Sequence, residues 1–245
     1  MPKQGEINYI KMLGQDDFKH AFNMPFSDPL AGRYLMQIGF VLLLLPPPPA
    51  KLIDMGCGTG WSSCFFAKAG YDVVGVDISA DMRDLANKNK KKYGLENVDF
   101  LVKDYEALKL SEKFDCAVFL NSLHHAENEH KVIARVYDLL KDGGICVTSE
   151  PGVGHSDTEA AITAIRRFNV TEKDMPPKHI IKIARQCGFR KYDVFPHADS
   201  IAYYSMYSVI DSSANLRNMK MLKRLVKLIW TFLQKRNSGV VTLYK

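Results

Sequence analysis

The chain has 245 residues, 47% of them hydrophobic, which suits one α/β domain with insertions better than two independent domains. Its formal net charge is +6, yet residues 214–236 alone carry seven Lys and Arg and no acid, which leaves about −1 for the rest. The five scattered cysteines form no C-x-x-C pair, which argues against a disulfide framework or a zinc site and predicts reduced thiols in the cytoplasm.

No membrane-crossing or secretory segment is expected. The opening MPKQGEINYI lacks the apolar stretch of a signal peptide, and the apolar run FVLLLL at 40–45 is too short to cross a bilayer. We therefore expect a cytoplasmic protein that is soluble, or peripheral at the inner face of the membrane.

Five apolar stretches in the first 150 residues read as strands. They are KLIDM (51–55), YDVVGVD (71–77), NVDFLVKD (97–104), FDCAVFLN (114–121) and ICVTSE (145–150). Helical patterns separate most of them, including one from Ser79 as N-cap to Gly94 as stop and one over about 126–140 closed by Asp142-Gly143-Gly144. This alternation predicts a mostly parallel sheet covered by helices on both faces, with ligands at the carboxyl ends of its strands.

The pattern loosens after Glu150. Helices are expected over 158–168 and 176–187, the second entered through Thr171-Glu-Lys-Asp174, and strands over 189–197 and 239–245. The stretch between these last strands is predicted to be an insertion that contains a basic helix.

The glycine-rich turn after the first strand reads LIDMGCGTG at 52–60. Its glycines, Gly56, Gly58 and Gly60, allow a sharp turn and close approach of the backbone to a ligand. Their spacing does not match the G-x-G-x-x-G of a dinucleotide cradle. Asp77 and Asp104 end the next two strands, where they could hold a ribose and an adenine. The combination indicates an adenosine-type ligand.

These residues resemble the class I S-adenosylmethionine-dependent methyltransferases. The resemblance implies a Rossmann-like, seven-stranded, mostly parallel sheet with an antiparallel last strand, in a single domain over 1–245. Its parts would be an N-terminal lid or helical segment (1–50), a cofactor-binding core (51–150) and a substrate-side half (151–245). The implied cofactor is S-adenosyl-L-methionine. Its expected contacts are Asp54, Gly56, Cys57, Gly58, Gly60, Asp77, Ile78, Asp104, Tyr105 and Asn121.

Two loops are candidates for the acceptor side. NSLHHAEN (121–128) follows the fourth strand and SEPGVGHSD (149–157) ends the fifth. Methyl transfer to a hydroxyl needs alignment and a base, so we predict the catalytic residues His124, His125, Glu150 and His155. The choice of base among them stays open. Glu150, His155 and Asp157 could also ligate a divalent metal, but no second ligand pair has recognisable spacing and we predict none.

The segment at 23–39, NMPFSDPLAGRYLMQIG, precedes the first strand. In this superfamily an N-terminal helix commonly folds over the cofactor, and Phe26, Arg33 and Tyr34 are candidate contacts. Leu30, Leu35 and Ile38 fit an amphipathic helix packed on the sheet at least as well.

The basic helix at about 214–236 separates an apolar face from a basic one. Such a wide apolar face argues against a nucleic-acid arm, and no nucleic-acid partner is expected. Two interpretations remain open: packing on the domain or in a homodimer, or peripheral contact with an anionic membrane.

The motifs PFSDPL, LPPPPAKLIDMGCGTGW, NSLHHAEN, SEPGVGHSD and TEKDMPP together resemble bacterial methyltransferases associated with glycosyltransferases and polysaccharide assembly. This resemblance suggests O-methylation of a sugar or glycan hydroxyl. Alternatives are a soluble small-metabolite acceptor and, less favoured by charge, RNA modification. A non-catalytic cofactor-binding scaffold has no supporting feature in the sequence.

Overall fold

The structure is a computed structural model that describes residues 2–201, 223, 226, 227, 229–235 and 237–245. Its centre is a seven-stranded sheet in the order β3-β2-β1-β4-β5-β7-β6. The strands are β1 (Lys51–Met55), β2 (Asp72–Asp77), β3 (Val98–Val102), β4 (Phe114–Leu120), β5 (Leu140–Ser149), β6 (Lys191–Phe195) and β7 (Val240–Tyr244). β7 runs antiparallel to both β5 and β6, whereas β1 to β5 pair in parallel. The predicted fold class is confirmed.

Helices cover both faces of the sheet. They are α1 (Pro2–Met12), α2 (Gln15–Asn23), α3 (Ala31–Leu44), α4 (Trp61–Lys68), α5 (Ala80–Tyr93), α6 (Glu129–Leu139), α7 (Glu159–Phe168) and α8 (Pro177–Gln186). Ile133 of α6 and Ile180 of α8 are fully buried in one core layer, while Val41 of α3 and Phe66 of α4 are fully buried in the other. Burial of a side chain of this size stabilises the fold by roughly 1.5–3 kcal/mol.

The segment between β4 and β5 differs from its prediction. α6 begins only at Glu129, where the Asn128 side chain accepts a hydrogen bond from Lys131 N, and residues 123–125 form a separate 3₁₀ turn. β5 begins at Leu140, so Asp142-Gly143-Gly144 lies within the strand instead of closing the helix. The β4–β5 register shifts between Phe114 and Cys116, a bulge that accommodates this irregular start.

The carboxyl ends of the parallel strands meet at one edge of the sheet. Gly56 N, after β1, donates to Val76 O in β2 (2.8 Å), and Asn121 N, after β4, donates to Ser149 O in β5 (2.9 Å). The polar tips that the sequence placed at separate strand ends therefore form one continuous surface.

Most of the predicted basic helix at 214–236 lies outside the described residues. Four of its described apolar side chains are 47–69% exposed: Ile229, Trp230, Phe232 and Leu233. Across the described part of the chain, no helix has the length and apolar character needed to span a bilayer.

Candidate active site

Two adjoining cavities open at the carboxyl edge of the sheet. The smaller has a volume of about 330 Å³ and the larger about 790 Å³. Both are lined by Gly56, Gly58, Asn121, His125 and Glu172, so these residues form the boundary between them.

The glycine-rich turn forms one wall of both cavities. Gly56 has a φ of +76°, and a Cβ there would come within 2.7 Å of Ser122 Cβ. Gly58 has a φ of +53°, and its own Cβ would meet only open space. The turn thus brings bare backbone to the cavity, which a side chain at Gly56 would prevent.

Asp77 fixes this turn from the end of β2. Its Oδ2 accepts from Gly58 N and its Oδ1 from Ser79 N, at 2.8 and 2.9 Å. Burial raises the pKa of Asp77 above its ordinary value, against the lowering effect of these two amides. Each carboxylate oxygen keeps a second lone pair, so Asp77 can still accept hydrogen bonds from a ligand in the smaller cavity.

The far end of the smaller cavity is closed by α1. Lys3 Nζ donates to Asp104 Oδ2 (2.7 Å) and lies 3.1 Å from Glu106 Oε2. Ile78 and Tyr105 line the same cavity. The Tyr105 hydroxyl donates to Ser122 O at 3.2 Å, which holds its ring against the 3₁₀ turn after β4.

Glu150, directly after β5, positions the turn that carries His124 and His125. Its carboxylate is fully buried and accepts from Ser122 N (3.0 Å), Leu123 N (2.9 Å) and His124 Nδ1 (2.7 Å). Burial alone would raise the pKa of Glu150, but the hydrogen bond and charge of His124 lower it below its ordinary value. These donors occupy Glu150, so it holds the loop in place and is not available to accept a proton from a substrate.

His124, His125, His155 and Glu172 form a group that we call the histidine cluster. The ring centroids of His124 and His125 are 4.0 Å apart, and those of His124 and His155 are 5.1 Å apart. His155 Nε2 donates to Glu172 Oε2 at 2.7 Å, and His124 Nε2 lies 3.4 Å from the same oxygen. Three imidazoles therefore surround one carboxylate.

The two adjacent histidines differ in what holds them. Burial alone would lower the pKa of His124, but hydrogen bonds to Glu150 and Glu172 raise it to about 9. Without a bound ion, His124 is therefore protonated near neutral pH. His125 Nδ1 donates to Thr171 O at 2.7 Å, because a carbonyl oxygen can only accept a hydrogen bond.

The residues of the smaller cavity fit S-adenosylmethionine. Asp77 can accept from ribose hydroxyls, Gly56 and Gly58 give close access to the backbone, and Tyr105 supplies an aromatic side chain. Asp104 fits less simply, because Lys3 already occupies one of its oxygens.

Residues 52–144 match the methyltransferase domain family. A curated ubiquinone biosynthesis O-methyltransferase of Xanthomonas axonopodis pv. citri is 28% identical over 118 residues, which is 47% of this chain and 49% of that protein. The chain spans 40–61% of the length of the curated relatives it matches first.

Solved structures of this class share the fold over nearly the whole chain. Phosphoethanolamine N-methyltransferase 2 of Haemonchus contortus, in complex with S-adenosyl-L-methionine, superposes with a TM-score of 0.66 at 17% identity, over 98% of this chain and 59% of that one. An S-adenosylmethionine-dependent methyltransferase of Mesorhizobium loti gives 0.60 at 17% identity, over 86% and 98%. Residues 52–144 therefore match a methyltransferase domain, and the chain has the fold of S-adenosylmethionine-dependent methyltransferases.

Two predicted cofactor contacts of the methyltransferase domain lie elsewhere than expected. Asp54 is buried below the glycine-rich turn, where its Oδ2 accepts from the hydroxyls of Ser62 (2.8 Å) and Ser63 (2.6 Å), and it lines neither cavity. Gly60 also lines neither cavity. A Cβ at this position would come within 2.7 Å of Ala86 and Phe100. Both residues support the turn: Asp54 ties it to α4, and Gly60 allows close packing on α5 and β3.

The other predicted cofactor residues border the cavities. Gly56, Gly58 and Asn121 line both, Cys57 lines the larger, and Asp77, Ile78, Asp104 and Tyr105 line the smaller. Asn121 adopts a φ of +54°, a left-handed conformation that turns the chain away from β4 at the cavity boundary. Their contact with the cofactor stays a prediction.

The predicted lid segment borders a different cavity from the one expected. Arg33 and Tyr34 line the larger cavity, whereas Phe26 is 64% exposed and lies beside Phe65. α1 instead covers the Asp104 end of the smaller cavity, because Lys3 pairs with the carboxylates of Asp104 and Glu106.

Sequence reasoning missed two residues of this site. Glu172 lies in the TEKDMPP motif, whose pattern predicts only a helix cap, yet it is the carboxylate at the centre of the histidine cluster. Lys3 gave no signal, because its partners lie 101 or more positions away in the chain. A TEKD motif after a histidine-bearing glycine loop is the only hint that could have suggested Glu172.

Proposed function

We propose that this protein transfers the methyl group of S-adenosylmethionine to a hydroxyl of a polar acceptor, a sugar or glycan, bound in the larger cavity. The observation that carries the proposal is the histidine cluster at the boundary of the two cavities, beside Gly56, Gly58 and Asn121. When bound, the cofactor supplies an electrophilic methyl on a sulfonium, and the protein must align the acceptor and relieve it of a proton.

His125 is the member of the cluster best placed to act on the acceptor hydroxyl. It lines both cavities, and its Nδ1 is fixed by the Thr171 carbonyl, which orients the ring. Among the described residues, its Nε2 has no hydrogen-bond partner. His124 is less suited, since its Nδ1 is held by Glu150 and its Nε2 faces Glu172.

The lining of the larger cavity supports a polyhydroxylated acceptor. Gln37 Nε2 donates to Ser149 Oγ at 2.8 Å, and Arg33 Nε pairs with Asp199 at 2.7 Å, so this lining offers both donors and acceptors. Sugars present many hydroxyls that need such partners when they leave water. The curated O-methyltransferase relative favours oxygen as the methylated atom.

A soluble small metabolite is the second candidate for the acceptor. Arg33 at the larger cavity could hold an anionic metabolite, and a structural neighbour of the fold is a phosphoethanolamine N-methyltransferase. One assay of methyl transfer distinguishes the two acceptor classes.

The test is a screen of sugar nucleotides, glycans, small acids and phosphorylated amines, with released S-adenosylhomocysteine as the readout. We expect turnover with a hydroxylated sugar and its loss in Arg33→Ala or Gln37→Ala, while cofactor binding by calorimetry is unchanged. Turnover with amines alone would contradict O-methylation. Failure of the wild type to bind S-adenosylmethionine would contradict the whole proposal.

We also propose that the region 214–236 brings the enzyme to an anionic membrane, where a lipid-linked acceptor would be found. The exposure of Trp230 and Leu233, at 61% and 69%, supports this proposal because apolar side chains beside lysines favour the interface. Flotation with phosphatidylglycerol vesicles tests it, and we expect Trp230→Ser to weaken binding. Equal flotation of the variant, or none by the wild type, would contradict it.

A further inference from the structure

We propose that His124, His125 and Glu172 hold a divalent transition-metal ion of the zinc type at the boundary of the two cavities. One ring nitrogen of each histidine and one carboxylate oxygen of Glu172 lie within 4.8 Å of one another. Two imidazoles with one carboxylate form a donor set that binds such ions and leaves positions open for a further ligand.

One pair among these three side chains, His124 and Glu172, already has the spacing of two ligands around an ion. His124 Nε2 and Glu172 Oε2 are 3.4 Å apart, which is long for a hydrogen bond between an imidazole and a carboxylate. Two ligands at about 2.0–2.1 Å from a tetrahedral ion are separated by roughly 3.3–3.4 Å. An ion fits between these atoms with little movement of either side chain.

Each of the three ligands also has an outer partner that orients it. Glu150 Oε2 accepts from His124 Nδ1, the Thr171 carbonyl accepts from His125 Nδ1, and His155 Nε2 donates to Glu172 Oε2, each at 2.7 Å. The two Nδ1 contacts leave the Nε2 atoms for the ion, and binding of the ion would release the Nε2 proton of His124 to solvent. Carboxylate, carbonyl and imidazole partners of this kind are the usual outer shell of a metal site.

The position of the site suggests its use. His125 and Glu172 line both cavities and His124 lines the larger one, so the open positions of the ion would face a bound acceptor. An acceptor hydroxyl bound to the ion would lose its proton more easily, and the proton would leave to solvent. This role rests on the proposed function and makes His125 act through the ion, whereas the binding of the ion does not depend on that function.

Metal binding is tested directly on the full chain. Protein stripped with a chelator is titrated with Zn²⁺ by calorimetry, and with Co²⁺ by visible absorption, whose bands report tetrahedral coordination. We expect one ion per chain, a loss of affinity of at least about 100-fold in Glu172→Gln, and a loss of about 10–100-fold in His155→Ala, which removes an outer partner only. Retained binding of S-adenosylmethionine by His155→Ala shows that this variant is folded.

His130→Ala is the matched control. His130 Nε2 lies 3.8 Å from Cys187 Sγ, a pair outside both cavities that could take up zinc adventitiously. Unchanged affinity in this variant supports the proposed site. Loss of binding in His130→Ala with none in Glu172→Gln, or no binding by the wild type, overturns it.

The same preparation separates this inference from the proposed function. Methyl transfer at an undiminished rate by the metal-free enzyme in chelator would overturn the role of the ion and leave the methyltransferase proposal intact. Stoichiometric metal binding without transfer to any acceptor would support the site and contradict the proposed function.

Discussion

Asp77 at the smaller cavity and Glu150 beside the larger one both follow strands of the sheet, and both accept hydrogen bonds from backbone amides. Burial raises the pKa of Asp77, whereas the pKa of Glu150 is lowered, against the effect of burial, by His124. The difference lies in the cationic partner. Glu150 is satisfied within the protein and holds a loop, while Asp77 keeps capacity for a ligand that brings its own donors.

The smaller cavity and the histidine cluster differ in the same way as Asp77 and Glu150. The smaller cavity is lined by the glycine-rich turn and carboxylates, which suits recognition of a ligand that carries hydroxyl and amino groups. The histidine cluster pairs imidazoles with carboxylates, which suits movement of a proton or retention of a cation. Substitutions should therefore separate binding of the cofactor from turnover.

The largest effect is expected for His125→Ala, which removes the histidine at the boundary. We expect kcat to fall by about 10²–10⁴-fold, since a positioned group that assists proton removal contributes that much. Affinity for S-adenosylmethionine should change little, because Asp77 and the glycine-rich turn are intact. Turnover is measured as released S-adenosylhomocysteine and affinity by calorimetry.

His179→Ala is the control for this variant, because His179 bonds Glu129 on the outer face of α6 and lines neither cavity. It should leave both quantities unchanged. Equal losses of turnover and of cofactor affinity in His125→Ala would place His125 on the cofactor side and break the separation between the two regions.

A loss of stability comes next, for Glu150→Ala. This change leaves the amides of Ser122 and Leu123 and the buried ring of His124 without their acceptor. Removing one member of a buried ion pair costs about 3–5 kcal/mol in the free energy of unfolding. Urea denaturation measures it.

Asp138→Ala provides the comparison, since its pairing with Arg135 is on the surface and exposed pairs contribute little. A similarly small change in both variants would show that Glu150 does not hold the loop.

The two regions also differ in how far the sequence predicted them. The turn at 56–60 and Asp77 lie within 22 residues of one another in one strand-helix-strand unit, so local patterns were enough to place them. Glu172 reaches His124 only because the segment between α7 and α8 folds back over the sheet, a tertiary contact that no local pattern encodes. Glu150 was predicted as catalytic because its position at a strand end is visible in the sequence, whereas the amides that occupy it are not.

Core elements were predicted for a similar reason. β1 to β4 and α5 were found from apolar runs, from Ser79 as cap and from Gly94 as stop, all of which are local signals. The start of β5 was missed because its Gly143-Gly144 resembles a helix stop, whereas backbone hydrogen bonds of both glycines to the distant Lys245 keep it in the sheet. Register and pairing are long-range properties, and they account for the remaining errors at element boundaries.

Asp54, below the glycine-rich turn, should make a smaller, pH-dependent contribution to the free energy of unfolding. Burial raises its pKa from 3.8 to about 6, against the lowering effect of the Ser63 and Ser62 hydroxyls. A carboxyl group with a raised folded-state pKa binds more protons when folded, so its contribution to stability falls as pH rises between about 4 and 6. The difference amounts to at most about 3 kcal/mol.

Asp54→Asn removes this titration and keeps an oxygen for both serine hydroxyls. The free energy of unfolding of the wild type, measured in urea and compared with that of the variant, should therefore decrease from pH 4 to pH 7. A difference between the two proteins that stays constant over this range would show that Asp54 titrates normally. Other titratable groups contribute equally to the stability of both proteins, so their contributions cancel in the difference.

Asp77→Ala tests whether the Asp77 carboxylate accepts hydrogen bonds from the ligand of the smaller cavity. Loss of hydrogen bonds from two ribose hydroxyls to a carboxylate should cost about 3 kcal/mol, which is roughly a hundredfold in the dissociation constant for S-adenosylmethionine. Asp72→Ala, at the exposed opposite end of β2, should bind as the wild type does. The dissociation constant of Asp77→Asn should lie between those of the other two variants, because it keeps one acceptor oxygen for Gly58 N or for the ligand.

Thermal unfolding of each variant distinguishes a disturbed turn from lost recognition of the ligand. An unchanged melting temperature together with weakened binding assigns the effect to the ligand. Undiminished affinity in Asp77→Ala would mean that Asp77 only fixes the turn, as Glu150 fixes its own loop, and the distinction between the two carboxylates would disappear.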